Sequence, residues 1–102
     1  MAPTNTYTDN EVVVEVDGDL DLATAPNWCA RIEDTFRTPG ARVLVDLSRV
    51  SFCDSTGMRA LLGVVREAQV HSVPLRIVLP EQAAPLRAFE IAGALEFLPL
   101  AD

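Results

Sequence analysis

The sequence predicts an α/β fold in one domain, a mixed β-sheet of four to five strands with interspersed helices. Three observations predict it. Period-two stretches and short apolar runs alternate with stretches of helical spacing, and that alternation favours strands joined through helices. The chain has 102 residues, 49% of them hydrophobic, the size of one domain whose core needs neither metal nor disulfide. No internal repeat, low-complexity tract or linker interrupts residues 1–102, so no internal boundary is placed.

Residues 1–10 read as a short edge strand or a loose N-terminus, with Thr6-Tyr7-Thr8 β-prone and Thr8-Asp9-Asn10 as a turn. In Glu11–Val16, Val12, Val14 and Val16 alternate with Glu11 and Glu15, the pattern of a strand with one wet side. Asp17-Gly18 ends or bulges it. Thr24-Ala25-Pro26 opens a helix, Thr24 as cap and Pro26 in a first turn that does not need its N–H. Ala25, Cys29, Ile32 and Phe36 form its core stripe, while Arg31, Glu33, Asp34 and Arg37 face water. Thr38-Pro39-Gly40 stops this helix.

Arg42–Leu47 is a nearly continuous apolar run, hence a central strand covered on both faces or close to it. A tight corner follows, and a second helix opens at Ser55 with Met58, Leu61, Leu62 and Val65 inward and Arg59, Arg66 and Glu67 outward. Ser72-Val73-Pro74 breaks it. Leu75–Leu79 is a third substantial strand, so Val43 to Leu79 makes a right-handed parallel crossover. Pro80 closes that strand, Pro85, Leu86 and Phe89 belong to a short helix ended by Ala92-Gly93, and Leu95–Leu98 reads as a last edge strand.

Composition removes several function classes. With 15 acidic against 8 basic residues the net charge is -7, which opposes attraction to a nucleic-acid backbone or an anionic membrane. Every Lys/Arg position is Arg, so Schiff-base and Ser-Lys chemistry are excluded. Met1–Tyr7 lacks the basic start and apolar core of an export signal, and no apolar run spans a bilayer; the expected location is the cytoplasm. Cys29 and Cys53 are too far apart for a redox or zinc motif, and a reducing cytosol disfavours a disulfide between them. No phosphate-cradling glycine loop is present, so no cofactor is expected.

The corner Asp54-Ser55-Thr56-Gly57 holds the chemistry, because a hydroxyl where a strand gives way to a helix N-terminus is exposed and faces free backbone N–H groups. Two readings of Ser55 stand: a helix N-cap, or a phosphate acceptor. Thr56 reads as a first-turn residue rather than a second acceptor. Cys53 is either an oxidisable thiol beside the helix N-terminus or a small packing residue. An enzyme is disfavoured. No Gly-x-Ser-x-Gly elbow surrounds Ser55, and His71, the one histidine, lies about 20 Å away along the same helix, where C-terminal capping explains it.

Asp54-Ser55-Thr56-Gly57-Met58-Arg59-Ala60-Leu61-Leu62 and Gly18-Asp19-Leu20-Asp21-Leu22-Ala23-Thr24-Ala25-Pro26 together resemble the STAS domain, and within it the stand-alone bacterial anti-sigma factor antagonists. The resemblance implies a single STAS-like domain that acts by partner switching. Unphosphorylated, such a protein captures an anti-sigma factor, usually a Ser/Thr kinase with the histidine-kinase-like ATPase fold, and frees a sigma factor to act in transcription. That kinase switches it off by phosphorylation, and a metal-dependent phosphatase resets it. By position Ser55 matches the phosphoacceptor, Asp54 the acid beside it, Asp21 the acid of the early loop and Gly57 the small residue of the first turn.

The implied partner-binding set is Asp19, Asp21, Asp54, Ser55, Thr56, Gly57 and Arg59, with Arg59 one turn from Ser55 and able to pair with its phosphate. Asp19 stands where the family commonly has Glu, and the plainer reading of Asp19 and Asp21 is of acids that keep a loop in water. Many members carry a helix after the last strand, whereas this sequence ends at Asp102. The rival reading is an adaptor, a STAS subunit of a lipid-transport ATPase complex or of a stress-sensing assembly, in which the corner is contact surface alone.

Overall fold

The computed structural model describes residues 5–8 and 11–101; Asp9 and Asn10 of the expected turn lie outside them. Strands β1 (Asn5–Thr8) and β2 (Glu11–Glu15) precede β3 (Gly18–Leu20) and helix α1 (Ala25–Asp34). Strands β4 (Arg42–Asp46) and β5 (Val50–Cys53) lead into α2 (Ser55–Val70), and β6 (Leu75–Val78) into α3 (Ala83–Ile91). The main sheet has the order β1-β2-β4-β6, with β1 antiparallel to β2 and the other pairs parallel. Beside it, β3 and β5 form a separate parallel pair.

The register explains why the valine-rich strands assemble this way. Val12, Val43 and Leu75 are neighbours across three strands, as are Val14, Val45 and Ile77, and every one of these side chains is buried. Burying each such side chain contributes about 1.5–3 kcal/mol, so a slip by one residue would turn the whole set into solvent. The central strand β4 is dry on this face only. Leu44, between Val43 and Val45, is half-buried, so Arg42–Leu47 alternates where cover on both faces was expected.

Helix faces follow the sequence pattern with one rotation. The α1 stripe is Ala25, Trp28 and Ile32, continued by Thr35, while Cys29 and Phe36 are only partly buried. The large indole takes the deeper position. In α2, Gly57, Met58, Leu61, Val64, Val65 and Ala68 are buried and Leu62 sits at the margin. In α3, Pro85 and Phe89 are buried and Leu86 is half-buried. Helix α2 links the adjacent parallel strands β4 and β6, as a crossover requires.

Two expectations need correction. Leu95–Leu98 is not a strand: Gly93 turns the chain at φ 68°, and a 3-10 turn follows over Ala94–Glu96. Ala94 and Leu98 are buried four residues apart, a helical period. The edge pairing comes later, where Ile77 donates to Pro99 O at 2.8 Å and accepts from Ala101 N at 2.8 Å. Second, Val50–Cys53 is a strand, which adds the β3–β5 pair to the four strands of the main sheet.

Phe89 is fully buried and fixes α3 to the core. Phe89→Ala should therefore lower stability by about 3–5 kcal/mol, measured by urea denaturation with an unchanged m-value.

Candidate functional site

The β3–β5 pair brings the two chemically informative segments together. Leu20 is the register partner of Cys53, so both strands end side by side, and each is followed within a few residues by a helix. Carboxyl ends of parallel strands are where α/β proteins place functional groups. Asp54 N donates to Leu20 O at 3.2 Å. Gly57 then lies directly on Leu20: a Cβ there would stand 2.0 Å from Leu20 O, 2.3 Å from its carbonyl carbon and 2.9 Å from its Cβ. Only glycine allows this approach.

Asp54, not Ser55, caps α2. Its backbone is extended, and its Oδ1 accepts from Gly57 N at 3.0 Å and from the Thr56 hydroxyl at 2.6 Å. The Thr56 hydroxyl first, and the Gly57 N–H after it, hold the Asp54 carboxyl below its ordinary pKa. Ser55 is therefore left over. It is the first helical residue, it is exposed, and its hydroxyl makes no hydrogen bond among the described residues. The capping reading of Ser55 is replaced by a free hydroxyl beside a capping carboxylate.

The acids of the early loop divide in the same way. Asp21 Oδ1 accepts from Thr24 N at 3.0 Å while Thr24 Oγ1 accepts from Asp21 N at 3.1 Å, a reciprocal pair that ends the loop and starts α1. Thr24 also accepts from Trp28 Nε1 at 3.1 Å and donates to Asp19 O at 2.7 Å. Thr24 stands at the N-cap of α1 as expected, but its side chain makes no cap hydrogen bond and holds the loop shut instead. Asp19 is exposed, with no ion pair or side-chain hydrogen bond among the described residues. Arg59 is likewise exposed and without an ion pair there.

A groove of about 310 Å³ opens beside Ser55, lined by Cys53, Asp54, Ser55 and Met58 on one side and by Ala88 and Ile91 of α3 and its C-cap Ala92 on the other. The α3 contribution was not legible in the sequence, because no local pattern relates Ile91 to Ser55. Burial first, and the Asp54 charge second, push the Cys53 thiol up to about 11. Burial and Glu33 do the same for Cys29, also to about 11. Neither thiol is in a disulfide. Cys53 is a packing residue, since the helix end does not outweigh its burial. His71 caps the far end of the 16-residue α2, where its Nε2 lies 3.6 Å from Glu67 Oε2 and its ring meets Phe36.

The family model described as the STAS domain matches residues 2–102. The chain belongs to the STAS domain family. No curated protein matches it in sequence. An anti-sigma factor antagonist from Mycobacterium paratuberculosis superposes with a TM-score of 0.81 at 24% identity, over 97% of this chain and 83% of that one. SpoIIAA, an anti-sigma factor antagonist, in its unphosphorylated form gives 0.68 at 22% identity over 99% and 88%. The Mglu structure gives 0.68 at 24% identity over 76% of this STAS chain, which spans only 19% of Mglu. These likenesses establish the fold. No helix among the described residues is long and apolar enough to cross a membrane.

Two outcomes test the site's physics. Gly57→Ala should cost about 3 kcal/mol or more, because the new methyl meets backbone that cannot yield; urea denaturation measures it. For Cys53 the sign is set by a thiol whose ordinary pKa of 9.0 rises to about 11 on folding. Its contribution is intact below pH 9 and falls as pH climbs from 9 towards 11. Iodoacetamide at pH 8 should accordingly modify Cys53 at least about 10-fold more slowly than a small free thiol, and equal rates would restore the reactive reading.

Proposed function

We propose that this protein is an anti-sigma factor antagonist whose binding is controlled at Ser55. Unphosphorylated, it captures an anti-sigma factor kinase of the histidine-kinase-like ATPase fold and frees a sigma factor. The kinase transfers the γ-phosphoryl group of ATP to the Ser55 oxygen, releasing ADP and the hydroxyl proton, and capture ends. A metal-dependent phosphatase hydrolyses the ester back to serine and inorganic phosphate.

One observation carries this reading: Ser55 is an exposed hydroxyl at a helix start with no structural duty, since Asp54 does the capping. Support comes from the STAS family match and from SpoIIAA, a 22% identical fold neighbour described in both unphosphorylated and phosphorylated forms. Asp19, Asp54, Thr56 and Arg59 form the contact surface around Ser55, whereas Gly57 is buried against Leu20 and Asp21 holds its loop in place, so both support the surface from behind it. The one histidine caps the opposite end of α2 and so does not stand beside Ser55.

A phosphate at Ser55 adds a charge of about -1.5 to -2, and burying it unpaired in a contact costs several kcal/mol. Incubation with the purified kinase and ATP should add one phosphate by intact mass to wild type and none to Ser55→Ala. Ser55→Asp should bind the kinase about 100-fold more weakly by calorimetry; binding equal to wild type refutes the reading. Arg59, one turn away, favours the phosphate dianion. Arg59→Ala should raise the second pKa of phospho-Ser55 by about 0.3, read by phosphorus NMR.

A further inference from the structure

The groove beside Ser55 is half built from α3, an element that neither carries nor adjoins the switch motif in sequence. Its wall is apolar: Met58, Ala88 and Ala92 line it, and Ile91 stands over it 75% exposed. A branched aliphatic side chain this exposed contributes nothing to the core, whereas Phe89, two residues earlier, is fully buried and anchors the helix. Among the lining residues Asp54 is the ionised group, its pKa lowered by its own hydrogen bonds, and Asp19, in the middle of the neighbouring strand β3, is exposed.

Resting on the reading of Ser55 as the switch, we propose that the α2–α3 groove is the second half of the docking surface. It receives an apolar side chain of the protein partner while an adjoining lysine or arginine of that partner meets the Asp54 carboxylate. Charge complementarity chooses this occupant over a second copy of the chain, since two chains of net charge -7 repel each other, whereas a partner with a basic residue beside its apolar anchor is drawn to Asp54. An apolar anchor ringed by polar contacts is also how protein interfaces concentrate their affinity.

The placement gives the switch a steric and a solvation component. Ser55 lies in the groove lining, so a phosphate there enters the space the anchor occupies and would have to shed water against Met58 and Ile91. One partner cation cannot neutralise both a phosphate dianion and Asp54.

The test uses the full chain and, one at a time, the purified kinases of the histidine-kinase-like ATPase fold from the same cells. Ile91→Glu should weaken capture at least about 10-fold, and Ile91→Leu should restore it to within about 3-fold. Val70→Glu, equally a change at an exposed position of 68%, lies at the far end of α2 and should bind like wild type. Asp54→Asn keeps a capping side chain and should reduce both the affinity and its dependence on salt. Unchanged thermal unfolding of the Ile91 variants by circular dichroism assigns the loss to contact. If Ser55→Asp abolishes capture while Ile91→Glu binds normally, the groove is not the docking surface, though the switch stands. If no kinase binds the wild-type chain, the switch reading and this inference fall together.

Discussion

The close approach of Gly57 to the backbone of Leu20 is the constraint on which the rest of the site depends. A helix start packed at this distance on the last residue of a strand fixes both position and direction of α2. It also explains why β3 and β5 pair at all, although each is only three or four residues long. Short parallel pairs are weakly held by their own ladder, and here the Asp54 N–H to Leu20 O bond extends the pairing into the helix cap. With that contact made, the loop of Asp19 and Asp21 and the corner of Asp54 and Ser55 become one surface.

Within that surface, adjacent residues hold separate duties. Asp54 satisfies the Gly57 N–H, Thr56 satisfies Asp54, and Gly57 docks on Leu20. Ser55 is relieved of each of these tasks. A serine that capped its own helix would lose about 1 kcal/mol of stability whenever its oxygen was modified, which would couple the proposed switch to unfolding. The loop across from it follows the same logic, with Asp21 and Thr24 closing on each other and leaving Asp19 to solvent.

Most of the fold was legible because its signals are local. Alternating valines named β2, continuous apolar residues named β4 and β6, and glycine or proline marked the ends of α1, α2 and α3. What escaped depends on distant partners. Val50–Cys53 carries no alternation, and it is a strand because β3 lies beside it. Leu95–Leu98 looked β-prone, yet the αL turn at Gly93 and the burial of Ala94 and Leu98 on one side impose a 3-10 turn. At the site, residue types at the corner pointed to Ser55, but the choice of Asp54 as cap required geometry. Ile91 gave no local signal whatever.

The energetics of a phosphate at Ser55 separate fold from contact. The helix dipole favours the added charge by about 0.3–1 kcal/mol. Asp54 opposes it: two unit charges about 6 Å apart in water repel by roughly 0.7 kcal/mol, and a dianion by about twice that. These contributions nearly cancel, so the isolated domain gains or loses little. At a contact the balance is different, because the groove wall is apolar and the water that solvates phosphate and carboxylate alike would be expelled. There the dipole gain stays the same size while repulsion and desolvation both grow as the dielectric falls. In the switch proposed for Ser55, an acid beside the hydroxyl and an apolar wall across from it would thus concentrate nearly the whole effect of one phosphate into the bound state.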